Sequence, residues 1–399
     1  MSKGPGRYGP ALAALGAATW LAMSVDWFRG VRRVPVLRET GKDRGSLGRY
    51  PSVSVIVPAR NEEEAVEEAL GSILAQSYPG HLEVVAVDDR STDLTGEVLA
   101  RLASERSDVM RVIRVEQLPE GWLGKNHALF LGAEESSGEW LLFTDADVRF
   151  SPGCLEDAVG YAVRENLDHL ALAPQIVSRG VALRSFVAAF VLVFEVTQRP
   201  WRAVDPRARE AVGVGSFNLL RKEAYLRAGT HRAIRVRPDD DMRLGRLVKG
   251  AGFRQSVAYG TGSVSVEWHR TLSGAVRGLE KSMFPGVDYR LSTVLFASLA
   301  LFVTNVLPFA GVLFARRVLT RLLFGANVLL VLAAYAYGAK RSGSRTSPLY
   351  AALHHAALHP FGASTIIYAM LRSAYTTLAK GGIEWRGTKY PLDLLKENA

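Results

Sequence analysis

The chain has 399 residues, with 49 Lys and Arg against 39 Asp and Glu, for a formal net charge of +10. At 48% hydrophobic and 22% charged it is too apolar for a disordered chain and too polar for a transporter made throughout of membrane helices. Its single cysteine, Cys154, excludes an internal disulfide framework and a cysteine-cluster zinc site, and points to a reducing, cytosol-facing compartment.

The apolar residues concentrate at the two ends. From Tyr8 to Phe28 an Ala-rich run approaches the ~20 residues that cross a bilayer as a helix. Residues 8–28 are therefore read as a membrane anchor, ahead of the signal peptide that Lys3 and Arg7 also allow. A basic linker follows over residues 29–50, carrying Arg29, Arg32, Arg33, Arg38, Lys42, Arg44 and Arg49. Basic flanks stay in the cytoplasm, which places the next domain inside the cell.

From residue 51 the pattern changes to short β-rich runs alternating with amphipathic stretches. Val53 to Val57, closed by Pro58, predicts a buried parallel strand. Asn61 is placed to cap the next helix, with Glu62, Glu63 and Glu64 in its first turn. Leu82 to Val87 predicts a second strand ending at Asp88 and Asp89, followed by a helix from Leu94 to Glu105 and a third strand from Arg111 to Val115. Trp140 to Thr144 predicts a fourth strand, ending at Asp145-Ala146-Asp147. Strands alternating with helices build an open parallel or mixed sheet, which binds ligands at the carboxyl ends of its strands. Asp145 and Asp147, one residue apart on such an end, can share Mg²⁺ or Mn²⁺ with a phosphate-bearing substrate whose oxygens complete the shell.

Farther on, Ala182 to Val196 is nearly as apolar as a span but short for crossing, and reads as a core or interfacial helix. Asp239, Asp240 and Asp241 open a run of helical period. The helix dipole favours them there, and their crowding raises the pKa of at least one, as a general base requires. Leu291 to Ala315 carries no charge and is long enough to span, and Leu322 to Tyr337 continues in that style. Leu349 to Leu371 is interrupted by His354, His355, His359 and Pro360. It either spans or lies in the interface, and its histidines are either a metal cluster or interfacial polar residues.

The run VSVIVPARNEEEAVEEALGSILAQSYP, then LEVVAVDDRSTDLTGEVL, then GKNHALFLGAEESSGEWLLFTDADVRF resembles the family 2 glycosyltransferases. GSFNLLRKEAYLRAGTH and PDDDMRLGRLVKGAGFR extend the resemblance over residues 51–290. It implies an α/β catalytic domain of GT-A fold, a Rossmann-like mixed open sheet, flanked by N-terminal and C-terminal transmembrane or interfacial helices. The anchor, the membrane helices over 291–371 and the tail over 372–399 are similar to the membrane-bound bacterial branch acting on carotenoids, hopanoids and related lipids.

By that resemblance Pro58, Ala59, Arg60 and Glu62 cup the nucleotide, and Asp88 and Asp89 match the pair from which one carboxylate reads the base. Lys125 falls near the donor, Asp145 and Asp147 match the metal-binding D-x-D, and Gly215 begins a G-x-F element beside the donor sugar. Asp240 and Asp241 match the acidic pair whose second member is the base. Trp268, His269 and Arg270 stand where processive relatives carry a Q-x-x-R-W clamp, which is absent here. Trp268 can stack on an acceptor ring, His269 can be a third metal ligand, and Arg270 can meet diphosphate or acceptor.

The expected function is inverting transfer of a sugar from a nucleotide-diphosphate sugar, UDP first, to a lipid acceptor. The expected setting is multi-pass in the inner membrane, with the catalytic domain facing the cytoplasm. A processive polysaccharide synthase and a catalytically silent membrane scaffold are the alternatives. Scattered basic residues without aromatic interleaving argue against nucleic acid, and nothing implies an obligate protein partner.

Overall fold

The structure is a computed structural model describing residues 9–40, 47–341 and 347–397. Lys3, Arg7, Tyr8, Lys42 and Arg44 lie outside the described residues. The chain forms two units. One is an α/β unit over Arg33–Val177 and Pro200–Trp268; the other is a helical unit that includes Ser178–Arg199 and His269–Lys396.

In the α/β unit the strands are β1 (Val53–Ala59), β2 (Leu82–Asp89), β3 (Met110–Val115), β4 (Trp140–Phe143), β5 (Val148–Phe150), β6 (His169–Ala173), β7 (Gln175–Ile176), β8 (Asn218–Arg221), β9 (Gln255–Tyr259) and β10 (Val264–Val266). Seven of them make one sheet in the order β3-β2-β1-β4-β8-β6-β9, and β5, β10 and β7 make a smaller one. β1 pairs in parallel with β2 and β4, while β8 runs antiparallel to β4 and β6. The sheet is therefore mixed, as the alternating pattern predicts.

Val53, Val55, Ile56 and Val57 are wholly buried because helices cover both faces of β1. Each such side chain gains roughly 1.5–3 kcal/mol from burial. Pro58 does not end β1, which runs on to Ala59. The strand tolerates it because β4 pairs only as far as Ile56, so no ladder partner there needs the missing N–H. The helix Gly124–Glu134 lies close on β1, since a side chain at Gly132 would collide with Ile56.

Asn61 is not a helix cap. The helix starts at Val66, after Ala65, and Asn61 takes a positive φ of 53° instead. Its Oδ1 accepts from the Thr92 amide at 2.8 Å, tying the loop after β1 to the loop after β2. Glu62 donates its amide to Thr95 Oγ1 at 2.8 Å, and Glu63 Oε2 accepts from the Leu94 amide at 2.9 Å. Tertiary partners outcompete the local cap because both loops leave the same sheet rim side by side.

The helical unit takes in two stretches of the expected 51–290 domain. Residues 178–199 fall inside the expected 51–290 domain yet fold with the helical unit, as do residues 269–290. The apolar run that looked short belongs to an 18-residue helix, Val181–Gln198. Its partner in the same unit is the helix Pro348–Ala379, where a Cβ at Gly362 would lie 2.6 Å from Ala189 Cβ and 2.7 Å from the Ser185 carbonyl. Small residues permit that backbone approach, which is how helices associate where lipid removes the hydrophobic drive.

Three helical stretches among the described residues are long and apolar enough to cross a membrane: Val181–Arg202, Leu291–Phe314 and Val318–Arg341. Phe296, Leu313, Phe314 and Val318 each expose 70% or more of their surface, as lipid-facing residues do. The first described helix, Gly9–Val31, is 23 residues long but is not one of the three. Pro348–Ala379 is one continuous 32-residue helix containing Pro360, and it runs beyond the expected limit at residue 371. Inside it, His359 is hydrogen-bonded to Tyr335 Oη at 2.7 Å and to Asn305 Oδ1 at 2.9 Å.

Candidate active site

The site lies on the rim where β1, β2 and β4 end and β8 begins. Parallel pairing sets Ala59 opposite Asp88, so the first two strand ends are level. Asp88 Oδ1 accepts from the Ser91 amide at 3.0 Å. Asp89 is held by Arg90 at 2.8 and 3.2 Å, with Arg60 Nη1 at 3.6 Å. Pro58, Ala59, Arg60, Glu62, Asp88 and Asp89 thus share the β1–β2 end of the rim.

At the β4–β8 end, antiparallel pairing of Phe143 with Asn218 brings the residues after β4 against those before β8. The Asp145 amide donates to the Gly215 carbonyl at 3.2 Å, and the Gly215 amide donates to Asp241 Oδ2 at 2.9 Å. One peptide segment therefore joins the D-x-D loop to the acidic triplet. A Cβ at Gly215 would come within 2.9 Å of Asp145 Oδ2, and within 3.5 Å and 3.6 Å of Lys125 Nζ and Asp241 Oδ2. Only glycine leaves that junction open.

The three adjacent aspartates have separate fates. Asp239 is clamped by Arg237 at 2.9 and 3.1 Å and by Arg243 at 3.0 Å. Burial opposes its charge, but these guanidinium contacts prevail and lower its pKa. Asp240 pairs with Lys125 at 3.3 Å. Asp241 receives the Gly215 and Met242 amides, yet burial and the neighbouring Asp240 charge push it up to about 7.

Lys125, at the start of the helix Gly124–Glu134, also reaches Asp145 at 2.8 Å. Burial disfavours its charge, but Asp145, Asp240 and Asp241 outweigh that and raise its pKa. Asp147 is pushed up to about 7 by burial, then by the charges of Asp145 and Glu62. Lys125, Asp145, Gly215, Asp240 and Asp241 line one small cavity, with Thr144, Asn218 and His231.

Trp268 closes the α/β unit, whereas His269 and Arg270 open the next stretch of the helical unit. His269 packs its ring on Gly278, and burial together with the Lys281 charge lowers its pKa to about 4. Among the described residues no three His, Cys, Asp or Glu form a group that could hold a metal.

Two residues of the site carry no motif signal. Asn126, fully buried, donates to the Ile234 carbonyl at 2.7 Å and the Arg237 carbonyl at 3.0 Å, pinning the segment that leads into the triplet. His231 lies in that segment. Their only trace in the sequence is membership of the runs beginning GKN and ending GTH.

Residues 54–227 match the family model Glycosyl transferase family 2. Among curated proteins, the 4,4'-diaponeurosporenoate glycosyltransferase of Staphylococcus aureus (strain bovine RF122 / ET3-1) is 28% identical over 186 residues, 46% of this chain and 48% of the relative. The protein of that name from strain USA300 is 27% identical over the same shares. This chain therefore spans about half the length of the curated relatives it matches. Among solved structures, the mannosyltransferase PcManGT from Pyrobaculum calidifontis, in complex with GDP-Man and Mn2+, is similar with a TM-score of 0.54 at 18% identity. That likeness covers 93% of this chain and 99% of the other. The family match lies on the strands that carry the rim, and the mixed α/β sheet is similar in fold to that solved mannosyltransferase, a GT-A-type arrangement.

Proposed function

We propose that the chain is an inverting glycosyltransferase that moves a sugar from a nucleoside-diphosphate sugar, UDP-linked by preference, to an apolar acceptor dissolved in the membrane. The observation that carries this reading is the convergence of Asp145 and Asp241 on Gly215. It puts a metal-type carboxylate and a base-type carboxylate across one peptide from each other.

Asp241 is the general base in this reading. An acceptor hydroxyl is a weak nucleophile at neutral pH, and a carboxylate titrating near 7 removes its proton efficiently as it attacks. The Gly215 and Met242 amides aim the carboxylate, and Asp239, locked by two arginines, anchors the start of its helix. Attack from the face opposite the diphosphate inverts the anomeric carbon without an enzyme-bound sugar.

The residues fit a divalent cation. Asp145, Asp147 and Glu62 place negative charge close enough to raise the pKa of Asp147, the charge pattern a cation relieves. Asp145 and Asp147 would hold Mg²⁺ or Mn²⁺, which neutralises charge on the diphosphate leaving group. Lys125 adds a fixed positive charge beside it, and the β1–β2 end of the rim, with Arg60, Asp88 and Asp89, faces the nucleoside.

The acceptor assignment draws on the apolar helices and on the curated relatives, whose name specifies 4,4'-diaponeurosporenoate. Arginines at the end of the Gly9–Val31 helix and beyond it favour a cytoplasmic active site. The test uses full-length protein in detergent with Mn²⁺, radiolabelled UDP-glucose or GDP-mannose, and a bacterial lipid extract. Label in the organic phase, absent with Asp241→Asn, is expected. Label in a water-soluble polymer, or no transfer from either donor, would overturn the reading.

A further inference from the structure

His231 is a cavity-lining imidazole that neither the metal nor the base accounts for. Its ring is buried against Phe143, with ring centroids 4.9 Å apart, and faces the space bounded by Lys125, Asp145, Asp240 and Asp241. Tyr225 is its hydrogen-bond partner. The Tyr225 hydroxyl oxygen accepts from the His231 backbone N–H at 3.2 Å and lies 2.9 Å from Nδ1. Donation of the Tyr225 hydroxyl hydrogen to Nδ1 places the ring proton on Nε2, the tautomer that the assignment below uses. Nε2 makes no hydrogen bond among the described residues. Burial, with the Lys125 charge acting in the same direction, lowers the pKa to about 3, so the ring stays neutral.

We propose that His231 binds the donor's sugar, its Nε2–H donating a hydrogen bond to a sugar hydroxyl in the cavity between Asp145 and Asp241. The surroundings select that ligand chemistry. Three carboxylates repel a phosphate, but each can accept from a hydroxyl group. A hydroxyl that donates to a carboxylate still needs a donor for its oxygen, and a neutral imidazole N–H supplies one. Tyr225 acts as a positioning residue by holding the tautomer. This assignment rests on the donor reading above and goes beyond it by naming the group that distinguishes a nucleotide sugar from the bare nucleotide.

The test measures dissociation constants of full-length protein in detergent with Mn²⁺ for UDP-glucose against UDP, and for GDP-mannose against GDP. His231→Met keeps bulk without a donor, and His231→Gln restores an N–H near the position of Nε2. Met is expected to weaken the nucleotide sugar that the wild type prefers by about tenfold, the usual scale of one such bond, with the matching diphosphate unchanged. Gln is expected to recover most of the loss. Tyr225→Phe is expected to fall between wild type and Met. Equal affinity of Met and wild-type proteins for the nucleotide sugar overturns the assignment, as does an equal loss for sugar and bare diphosphate. A wild-type chain that binds neither nucleotide sugar instead overturns the donor reading, and this assignment with it.

Discussion

The two ends of the active-site rim solve the same electrostatic problem differently. At the β1–β2 end, buried Asp88 and Asp89 are matched by the Ser91 amide, Arg90 and Arg60, so their charges are settled within the fold. At the β4–β8 end, Asp145, Asp147, Asp240 and Asp241 face Lys125, and two of the four are pushed up to about 7. The first end is built to keep its shape; the second holds repulsion that a cation and a substrate proton can relieve. Strain of this kind marks where chemistry belongs, since structural ion pairs are normally balanced.

The largest break in this contrast comes from the metal. Excess EDTA, or Asp147→Asn, is expected to abolish transfer in the radiolabel assay, because the leaving diphosphate then keeps its charge. Full turnover under either condition would remove the β4–β8 end from the metal reading. Cation affinity is also expected to fall as pH drops below about 7, since Asp147 must lose its proton to ligate; calorimetric titration with Mn²⁺ at pH 6 and pH 8 measures this.

The next effect is on the base. Asp241→Asn is expected to lower kcat by roughly 10²–10⁴ while donor affinity stays near wild type. Near-normal kcat for Asp241→Asn, with collapse for Asp240→Asn, would move the base one residue back. Lys125→Met is expected to act through pKa as well as binding. Removing a positive charge raises the Asp241 pKa, so the acid limb of the rate profile should move to higher pH.

The smallest effects separate the two ends by stability. Arg90→Ala leaves buried Asp89 with less compensation and is expected to cost about 1–3 kcal/mol at pH 7. Asp241→Asn should do the opposite. The native carboxyl titrates above its unfolded value, so its contribution is present at low pH and lost as pH rises through about 7. The Asn variant should therefore melt higher than wild type at pH 8, with a much smaller gain at pH 5. Thermal unfolding at both values checks the sign.

The strand signals over β1 to β4 were legible because a buried parallel strand needs a continuous apolar run, and the acidic pairs at their ends stand out against it. The membrane-like helices after residue 290 were legible for a related reason: length and absence of charge are local properties. Helix Val181–Gln198 was legible as an apolar core or interfacial helix, but composition reports that a face must be buried and not what will bury it. Its partner, Gly362, is far away in the chain.

Asp239, Asp240 and Asp241 show the same limit at the scale of a site. The sequence by itself determined that three carboxylates crowd a helix start and that at least one must titrate abnormally. Which one does so was decided by the tertiary structure, through two arginines on Asp239, Lys125 on Asp240 and the Gly215 amide on Asp241. Gly215 itself reaches Asp145 only because β8 lies antiparallel beside β4, a pairing between segments more than 70 residues apart. His231 likewise enters the cavity only when Asn126 pins its segment. Charge and periodicity are written along the chain, whereas a pKa or a hydrogen-bond partner depends on what another segment brings within a few ångströms.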